Sequence, residues 1–157
     1  MFSKILVFIF SLIFSLHINA QNEAKIGNVS IGTKYSIALS LIKNEFGTPT
    51  MVRDNCVEYH NVKYHSLRFN KILFKFKNSI LNEVRFFINA KNKYEAVKNM
   101  KCVAKEWSKK YELSEDYDDG AYFYMGGVSP KGIGFLFTIS IAQRQGRWDT
   151  ELTYGPF

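Results

Sequence analysis

The chain has 157 residues, a formal net charge of +7 and 46% hydrophobic residues. This length suits one domain with a substantial core and is too short for two independent domains. The positive charge favours a partner with negative charge, such as an acidic glycan, an acidic protein surface or, inside a cell, nucleic acid.

The first 20 residues have the three-part layout of a secretory signal peptide. Lys4 provides a basic start, Ile5 to Leu16 form a 12-residue apolar run, and Ala20 is a small residue at the expected cleavage point. A membrane-spanning helix needs about 20 apolar residues, so we expect no transmembrane anchor after cleavage. The expected mature protein, residues 21–157, is periplasmic or secreted, and nucleic acid is not an expected partner there.

The first element predicted after the leader is a helix that begins at Thr33 and ends at Gly47. The Thr33 hydroxyl is expected to cap the free amides of the first turn. Ala38 and Ile42 fall on one face, as in a helix that packs on a core. Gly47 can take the left-handed conformation that ends a helix, and Pro49 prevents the helix from resuming.

Residues 52–89 change to an alternating pattern, which predicts three antiparallel strands. Val57 and Tyr59 alternate with polar residues, as in a strand with one buried face. The parity of the pattern changes around Asn61, which predicts a bulge or a tight bend there. Residues 77–79 supply the turn before the third strand.

A second helix is predicted after Asn92, whose spacing from Glu95 is that of a capping box. Apolar residues recur in it at steps of three and four and form one stripe, at Val97, Met100, Ala104, Trp107 and Tyr111. The acidic segment SEDYDDG, residues 114–120, is interpreted as a solvated loop that follows this helix. Three more strands are predicted, at residues 121–127, Phe135 to Ile141 and Trp148 to Tyr154.

This order of elements predicts an α+β fold in which two helices pack on one face of a mainly antiparallel sheet. Strands joined by short turns must run antiparallel. The first α-β-β-β unit is expected at residues 33–89 and the second at residues 91–157, within a single domain of residues 21–157.

The segment IGTKYSIALSLIKNEFGTPT, residues 31–50, resembles the opening of SmpA/OmlA-type envelope proteins. In those proteins a glycine, a threonine-capped helix and a Gly-x-Pro precede a β-meander. Doubling that unit gives the architecture of the β-lactamase-inhibitor-protein-like group, and residues 57–87 are similar to small exported bacterial proteins with that layout. The resemblance implies an interaction module that binds other proteins and does not catalyse a reaction.

The segment CVEYHNVKYH, residues 56–65, contains residue types that are typical of metal or nucleophile sites. Cys56, Glu58 and His60 would share one face of a strand, where zinc could use them as ligands. No fourth ligand follows at a suitable spacing, and residues four apart in a strand are separated by about 13 Å, too far for a nucleophile and its base. The polar face of a strand is the favoured interpretation, and no metal or other cofactor is expected.

Cys56 and Cys102 could form a disulfide, which an oxidising compartment favours. A bridge across 46 residues would stabilise the fold by about 4 kcal/mol in the loop-entropy model. The helical pattern places Cys102 on the polar side, which disfavours the bridge. The sequence therefore leaves both states open.

Two surfaces are candidates for binding a partner. The second helix carries a row of lysines within a narrow angular band, at Lys98, Lys101, Lys105 and Lys109. An anionic partner could dock there by long-range attraction, although charged helix faces are most often only solvated. The sheet face away from the helices is the other surface, where Phe87 has outward parity beside Arg85 and is expected to be exposed.

The leading hypothesis is an exported, non-enzymatic protein that binds another exported or envelope protein through the uncovered sheet face or the lysine row. Its basis is the leader, the two α-β-β-β units and a sequence without a recognised catalytic motif. The alternatives are a small secreted hydrolase or metal-dependent enzyme centred on residues 54–65, and a binder of anionic glycans.

Overall fold

The computed structural model describes residues 24–118 and 121–157, and the predicted signal peptide of residues 1–20 lies outside them. Two helices, α1 (Tyr35–Phe46) and α2 (Lys93–Trp107), each precede a run of strands. A short hairpin of β1 (Lys25–Ile26) and β2 (Val29–Ser30) comes before α1. Among the residues described, no helix has the length and apolar character needed to cross a membrane.

The remaining strands form one antiparallel sheet of eight strands, in the order β3-β4-β5-β6-β10-β9-β8-β7. Those that follow α1 are β3 (Met51–Arg53), β4 (Cys56–Tyr64), β5 (Leu67–Lys77) and β6 (Ile80–Ala90). Those that follow α2 are β7 (Leu113–Asp118), β8 (Ala121–Val128), β9 (Phe135–Arg144) and β10 (Arg147–Tyr154). The two runs meet at β6 and β10, and β3 and β7 are the edges of the sheet.

Both helices pack on the same face of this sheet, which confirms the predicted α+β fold. Helix α1 buries Ala38 and Ile42. Helix α2 buries a stripe that consists of Ala96, Met100, Val103, Ala104 and Trp107. Alternate residues of the strands face the helices and complete the core, among them Ile72, Phe74, Val84, Phe86, Ile139 and Leu152. The alternation therefore places every second side chain of the central strands on the opposite face.

The ends of the helices agree with the sequence in two places and differ at one. Gly47 ends α1 with φ 81°, and its amide donates to the Lys43 carbonyl. The Asn92 side chain accepts a hydrogen bond from the Glu95 amide at 2.9 Å, so the predicted cap of α2 is confirmed. The predicted Thr33 cap is wrong, because its hydroxyl donates to the Ser30 carbonyl at 2.7 Å and α1 begins two residues later.

Each half of the sheet has four strands, so the predicted count of three is wrong. Strand β3 is only three residues long, which is too short to produce a recognisable alternation. The predicted loop at residues 114–120 is also wrong for residues 114–118, which lie in β7; Asp119 and Gly120 lie outside the described residues. Acidic residues are rare in strands, but on an edge strand they prevent pairing with another chain.

The change of parity predicted at Asn61 is confirmed as a tight bend within β4. Asn61 has φ 54°, in the left-handed region that asparagine tolerates better than most residues. The pairing with β5 keeps its register on both sides, with His60 opposite Lys71 and Val62 opposite Phe69. The core side of β4 therefore changes from odd to even positions without an inserted residue.

The hydrogen bond from Trp107 Nε1 to Tyr154 Oη, 2.6 Å long, joins α2 to β10 inside the core. Replacing Tyr154 with Phe removes the acceptor and leaves a buried donor unpaired, which is expected to lower the free energy of unfolding by about 1–3 kcal/mol. Denaturant unfolding monitored by tryptophan fluorescence measures this change. Tyr94 is 82% exposed, and Tyr94→Phe is the matched control with a change within about 0.5 kcal/mol. Equal losses in the two variants would contradict a specific role for this bond.

Candidate functional site

Neither helix covers the second face of the eight-stranded sheet, which we call the open face. One row of side chains crosses its centre from β4 to β9, because the strands pair in register. His60 lies opposite Lys71, Lys71 opposite Phe87, Phe87 opposite Glu151, and Glu151 opposite Ser140. Residues of β4, β5, β6, β10 and β9 that are far apart in the chain thus become neighbours.

A cleft of about 750 Å³ lies on the open face, and we call it the central cleft. Its walls carry three permanent cations, two carboxylates, a histidine and four side-chain amides around one aromatic ring. The lining residues are Glu58, His60, Asn61, Asn70, Lys71, Phe87, Asn89, Arg144, Gln145, Arg147 and Asp149. This composition gives a polar surface with many hydrogen-bonding groups and an excess of positive charge.

Phe87 forms the floor of the central cleft and is only 4% exposed, so the expectation that it is exposed is wrong. Lys71 Nζ lies 4.8 Å from the centre of the Phe87 ring, and Arg144 Cζ lies 5.7 Å from it. Both distances suit cation–π contacts. Long basic side chains can cover apolar surface while their charges stay in water, which explains how a ring on the open face is buried.

Glu151 is the buried carboxylate beside Phe87, with a side chain that is 5% exposed. Arg144 Nη2 donates to Glu151 Oε2 at 3.0 Å, and Arg144 Nη1 contacts Oε1 in an ion pair that lacks hydrogen-bond geometry. Arg85 Nη1 lies 3.9 Å from Oε2 on the other side. A planar guanidinium can pair with a carboxylate and stack on an aromatic ring at the same time. Arg144 therefore holds both the Glu151 carboxylate and the Phe87 ring in position.

The charges of the open face continue as an alternating chain towards β5. Glu83 accepts from Lys75 Nζ at 3.2 Å and also contacts Arg85 Nε. Arg85, one of the residues singled out from the sequence, therefore lies between two carboxylates, Glu83 and Glu151. In the described part of the chain, no carboxylate lies within ion-pair distance of Lys71 or Arg147. These two are the cations of the central cleft with charge left for a ligand, and Asp149, a carboxylate of the same lining, likewise has no ion pair among the described residues.

The residues singled out in the segment 56–65 are only partly brought together. His60 Nε2 contacts Glu58 Oε1 at the wall of the central cleft, while Cys56 lies outside it on the same face. Burial, together with the charge of Glu58, raises the pKa of the Cys56 thiol, which makes it a weak nucleophile at neutral pH. Within residues 24–118 and 121–157, no group of three or more His, Cys, Asp or Glu side chains is close enough to hold a metal ion.

The Cys56–Cys102 disulfide that the sequence left open is not formed, and both thiols are free. Cys56 lies on the open face beside Lys75 and Glu83. Cys102 is exposed on α2, which packs on the other face of the sheet. The sheet and the helix therefore separate the two sulfurs, and a bridge would require one element to be displaced.

The predicted lysine row lies on the outer face of α2 and just beyond its C-terminal end, and all four side chains are exposed. We call this row the lysine ridge; it consists of Lys98, Lys101, Lys105 and Lys109. Lys109 Nζ donates to Glu106 Oε2 at 2.5 Å, and Ser66 Oγ donates to the same oxygen at 2.6 Å. These two hydrogen bonds lower the pKa of Glu106. The other three lysines have no carboxylate within ion-pair distance among the described residues.

Sequence patterns identified the lysine ridge and Phe87, but they missed most of the central cleft. The sequence patterns assign no binding role to Lys71, Arg144 or Arg147. Their common location depends on the pairing of β6 with β10, which no local pattern reports. In the sequence, the central cleft is indicated only by the outward parity of Lys71 and Phe87 together with the basic residues at the turn between the last two strands.

Comparisons of the chain with protein-family models, with curated proteins and with solved structures find no match. The resemblance to the SmpA/OmlA and β-lactamase-inhibitor-protein-like group therefore stays a prediction. The geometry of the open face and of the lysine ridge is the basis for a functional inference.

Brief treatment of the native protein with iodoacetamide at pH 8 is expected to label Cys102 faster than Cys56. Cys102 is exposed, whereas the raised pKa of the half-buried Cys56 leaves a smaller reactive thiolate fraction at this pH. Mass spectrometry of peptides from timed samples measures both rates, which should become similar in denaturant. Faster labelling of Cys56, or a disulfide-linked peptide, would contradict the arrangement.

Replacing Glu151 with Ala is expected to lower the free energy of unfolding by about 1–3 kcal/mol, because charge-assisted hydrogen bonding at the centre of the open face is lost. Denaturant unfolding measures the change. Glu112 is exposed, so Glu112→Ala is the control that removes the same charge without a buried contact. A Glu151→Ala protein as stable as this control would show that the pairs with Arg144 and Arg85 do not stabilise the fold.

Proposed function

We propose that the protein is an exported binding protein that holds an acidic segment of another exported or envelope protein in the central cleft. Binding rather than catalysis is the proposed activity. The proposal places the protein in the periplasm or outside the cell, on the basis of the sequence of its first 20 residues.

The arrangement of charge in the central cleft is the observation that carries this proposal. Glu83 and Glu151, the buried carboxylates of the open face, are already paired with basic side chains. Lys71 and Arg147 retain unpaired positive charge at the cleft walls. A carboxylate of a partner can approach these cations without displacing an internal ion pair, and complementary charge favours both encounter and correct orientation.

The shape and hydrogen-bonding groups of the central cleft suit an extended polypeptide. The lining extends over β4, β5, β6, β10 and β9, which at about 4.8 Å between strands corresponds to a width of about 19 Å. Asn61, Asn70, Asn89 and Gln145 supply both donors and acceptors, which can pair with the backbone of a bound segment. The Phe87 ring at the floor is covered by Lys71 and Arg144, so the polar groups of the walls supply the contacts to a bound segment.

A water-activating hydrolase is the second candidate, because His60 and Glu58 are in contact at the cleft wall. A carboxylate can orient an imidazole that acts as a general base. The raised pKa of Cys56 argues against a cysteine nucleophile in such an enzyme. Hydrolysis of a peptide or ester that is lost in His60→Asn and retained in Cys56→Ser would favour this alternative.

Titration with a short glutamate-rich peptide, observed by NMR, tests the binding proposal. The backbone amides of β4, β5 and β6 and of the turn between β9 and β10 are expected to shift, because the peptide carboxylates approach Lys71 and Arg147. A peptide of the same length with glutamine in place of glutamate should shift them little. The double variant Lys71→Gln/Arg147→Gln is expected to weaken binding by about tenfold at physiological salt.

The matched control is Lys101→Gln/Lys105→Gln on the lysine ridge, which removes the same two positive charges from the other side of the molecule. This control should retain the shifts on the open face and most of the affinity for the peptide there. Equal losses in the two double variants would mean that only net charge matters. Shifts confined to α2 would contradict the central cleft as the site.

A further inference from the structure

The lysine ridge concentrates charge along one line of α2. From Lys98 to Lys109 the line is about 16 Å long, at 1.5 Å per helical residue. Successive lysines are three or four residues apart, so neighbouring side chains are separated by about 5–6 Å. This separation is shorter than the screening length of about 8 Å at physiological salt, so the fields of neighbouring lysines add.

Among the described residues, nearby acids form an ion pair with only one of the four ridge lysines, Lys109. Glu106 is engaged by Lys109 and Ser66, and the Glu95 side chain accepts the Lys91 amide at 2.8 Å. Glu115, on β7, borders the ridge at one side. The first three lysines of the ridge therefore keep a surplus of positive charge.

Helix α1 shows that the fold does not require such a row of lysines. Both helices pack on the same face of the sheet and expose one side to solvent. Helix α1 contains one lysine and one glutamate, whereas α2 contains four lysines and two glutamates. Since α1 meets the same packing requirement with no net charge, the positive face of α2 needs another explanation.

Two shallow grooves, each of about 330 Å³, lie on either side of the ridge. One is lined by Tyr94, Val97, Lys98, Lys101, Cys102 and Lys105. The other lies between α2 and the β7–β8 hairpin and is lined by Lys101, Ala104, Lys105, Ser108, Leu113, Glu115 and Tyr124. Lys101 and Lys105 border both grooves, and each groove has a tyrosine ring in its wall.

The chemistry of this surface distinguishes among anionic partners. A membrane surface requires large apolar side chains that insert beside the lysines, and a protein interface requires a central apolar anchor that becomes desolvated. The line between Lys98 and Lys109 presents a row of charges, and the apolar surface beside it belongs to one shallow groove with Tyr94 and Val97 in its wall rather than to large side chains that project from the helix. A linear polymer with one anionic group after another matches a line of cations, and the tyrosine rings can contact the apolar faces of sugars.

We propose that the lysine ridge binds an acidic polysaccharide, whose carboxylate or sulfate groups pair with Lys98, Lys101 and Lys105 in succession. This site is on the opposite side of the sheet from the central cleft and does not depend on the function proposed for the cleft. Its role is to retain the exported protein on an anionic polymer while the open face stays accessible.

Retention of the purified protein on immobilised polygalacturonate, a linear polymer of carboxylated sugars, tests this proposal. The protein is expected to bind at low salt and to elute on a salt gradient, and not to bind neutral dextran. Lys101→Gln/Lys105→Gln should lose about tenfold in affinity, with the slope of log affinity against log salt reduced by about two, one for each cation removed. Lys43→Gln/Lys77→Gln, at two exposed lysines outside both the ridge and the central cleft, is the control of equal net charge and should elute close to the unmodified protein.

The free thiols provide a second readout in the unmodified protein. Bound polygalacturonate should slow the reaction of Cys102 with uncharged iodoacetamide, because Cys102 lines one groove of the ridge. Cys56, on the open face, should react at an unchanged rate and serves as the internal control. The proposal would be overturned if the two double variants eluted equally, or if the polysaccharide did not protect Cys102. Binding to anionic lipid vesicles without binding to the polysaccharide would also overturn it.

Discussion

The pairing of β6 with β10 is the interaction on which the rest of the structure depends. Seven residues of β6, from Val84 to Ala90, each lie opposite one residue of β10, from Trp148 to Tyr154. This ladder joins two four-stranded runs into one sheet and places both helices on the same face. The Thr150 hydroxyl donates to the Ala96 carbonyl at 2.7 Å, which fixes α2 above the junction. Because both helices pack on one face of the sheet, neither of them covers the other face. The side chains of that face must therefore be compatible with water.

The open face meets this requirement with long basic side chains and ion pairs at the same junction. Phe87 and Glu151 lie directly opposite each other across the β6–β10 ladder, and both are almost completely buried. Arg144 contacts both of them, from the ladder between β10 and β9. A ring and a carboxylate side by side would be unfavourable without such a cation, since burial of an unpaired charge is costly. The same side chains that protect the junction form the floor and one wall of the central cleft, so its shape follows from the stability of the sheet.

Local patterns were sufficient for elements whose signals are local. The cap of α2 at Asn92, the end of α1 at Gly47 and the bend at Asn61 depend on a few neighbouring residues, and the sequence predicted them. Strand β7 was missed because its acidic residues are typical of loops, and only the pairing with β8 reveals a strand. The burial of Phe87 was missed because it depends on Arg144, which is distant in the chain. Non-local pairing is therefore the information that the sequence could not supply, and it is also what assembles the candidate site.

The same architecture keeps the two candidate surfaces independent. The lysine ridge is on the outer side of α2, and the central cleft is on the far side of the sheet. A helix about 10 Å in diameter and the thickness of the sheet separate them by about 15–20 Å. At physiological salt this is about twice the screening length, so the charge of a ligand on one side has little effect on the other. Ligands on opposite sides also cannot collide, since the packed core lies between them. A one-sided helical layer thus leaves two separate faces of different chemistry, a cleft of mixed charge on the sheet and a row of cations on α2.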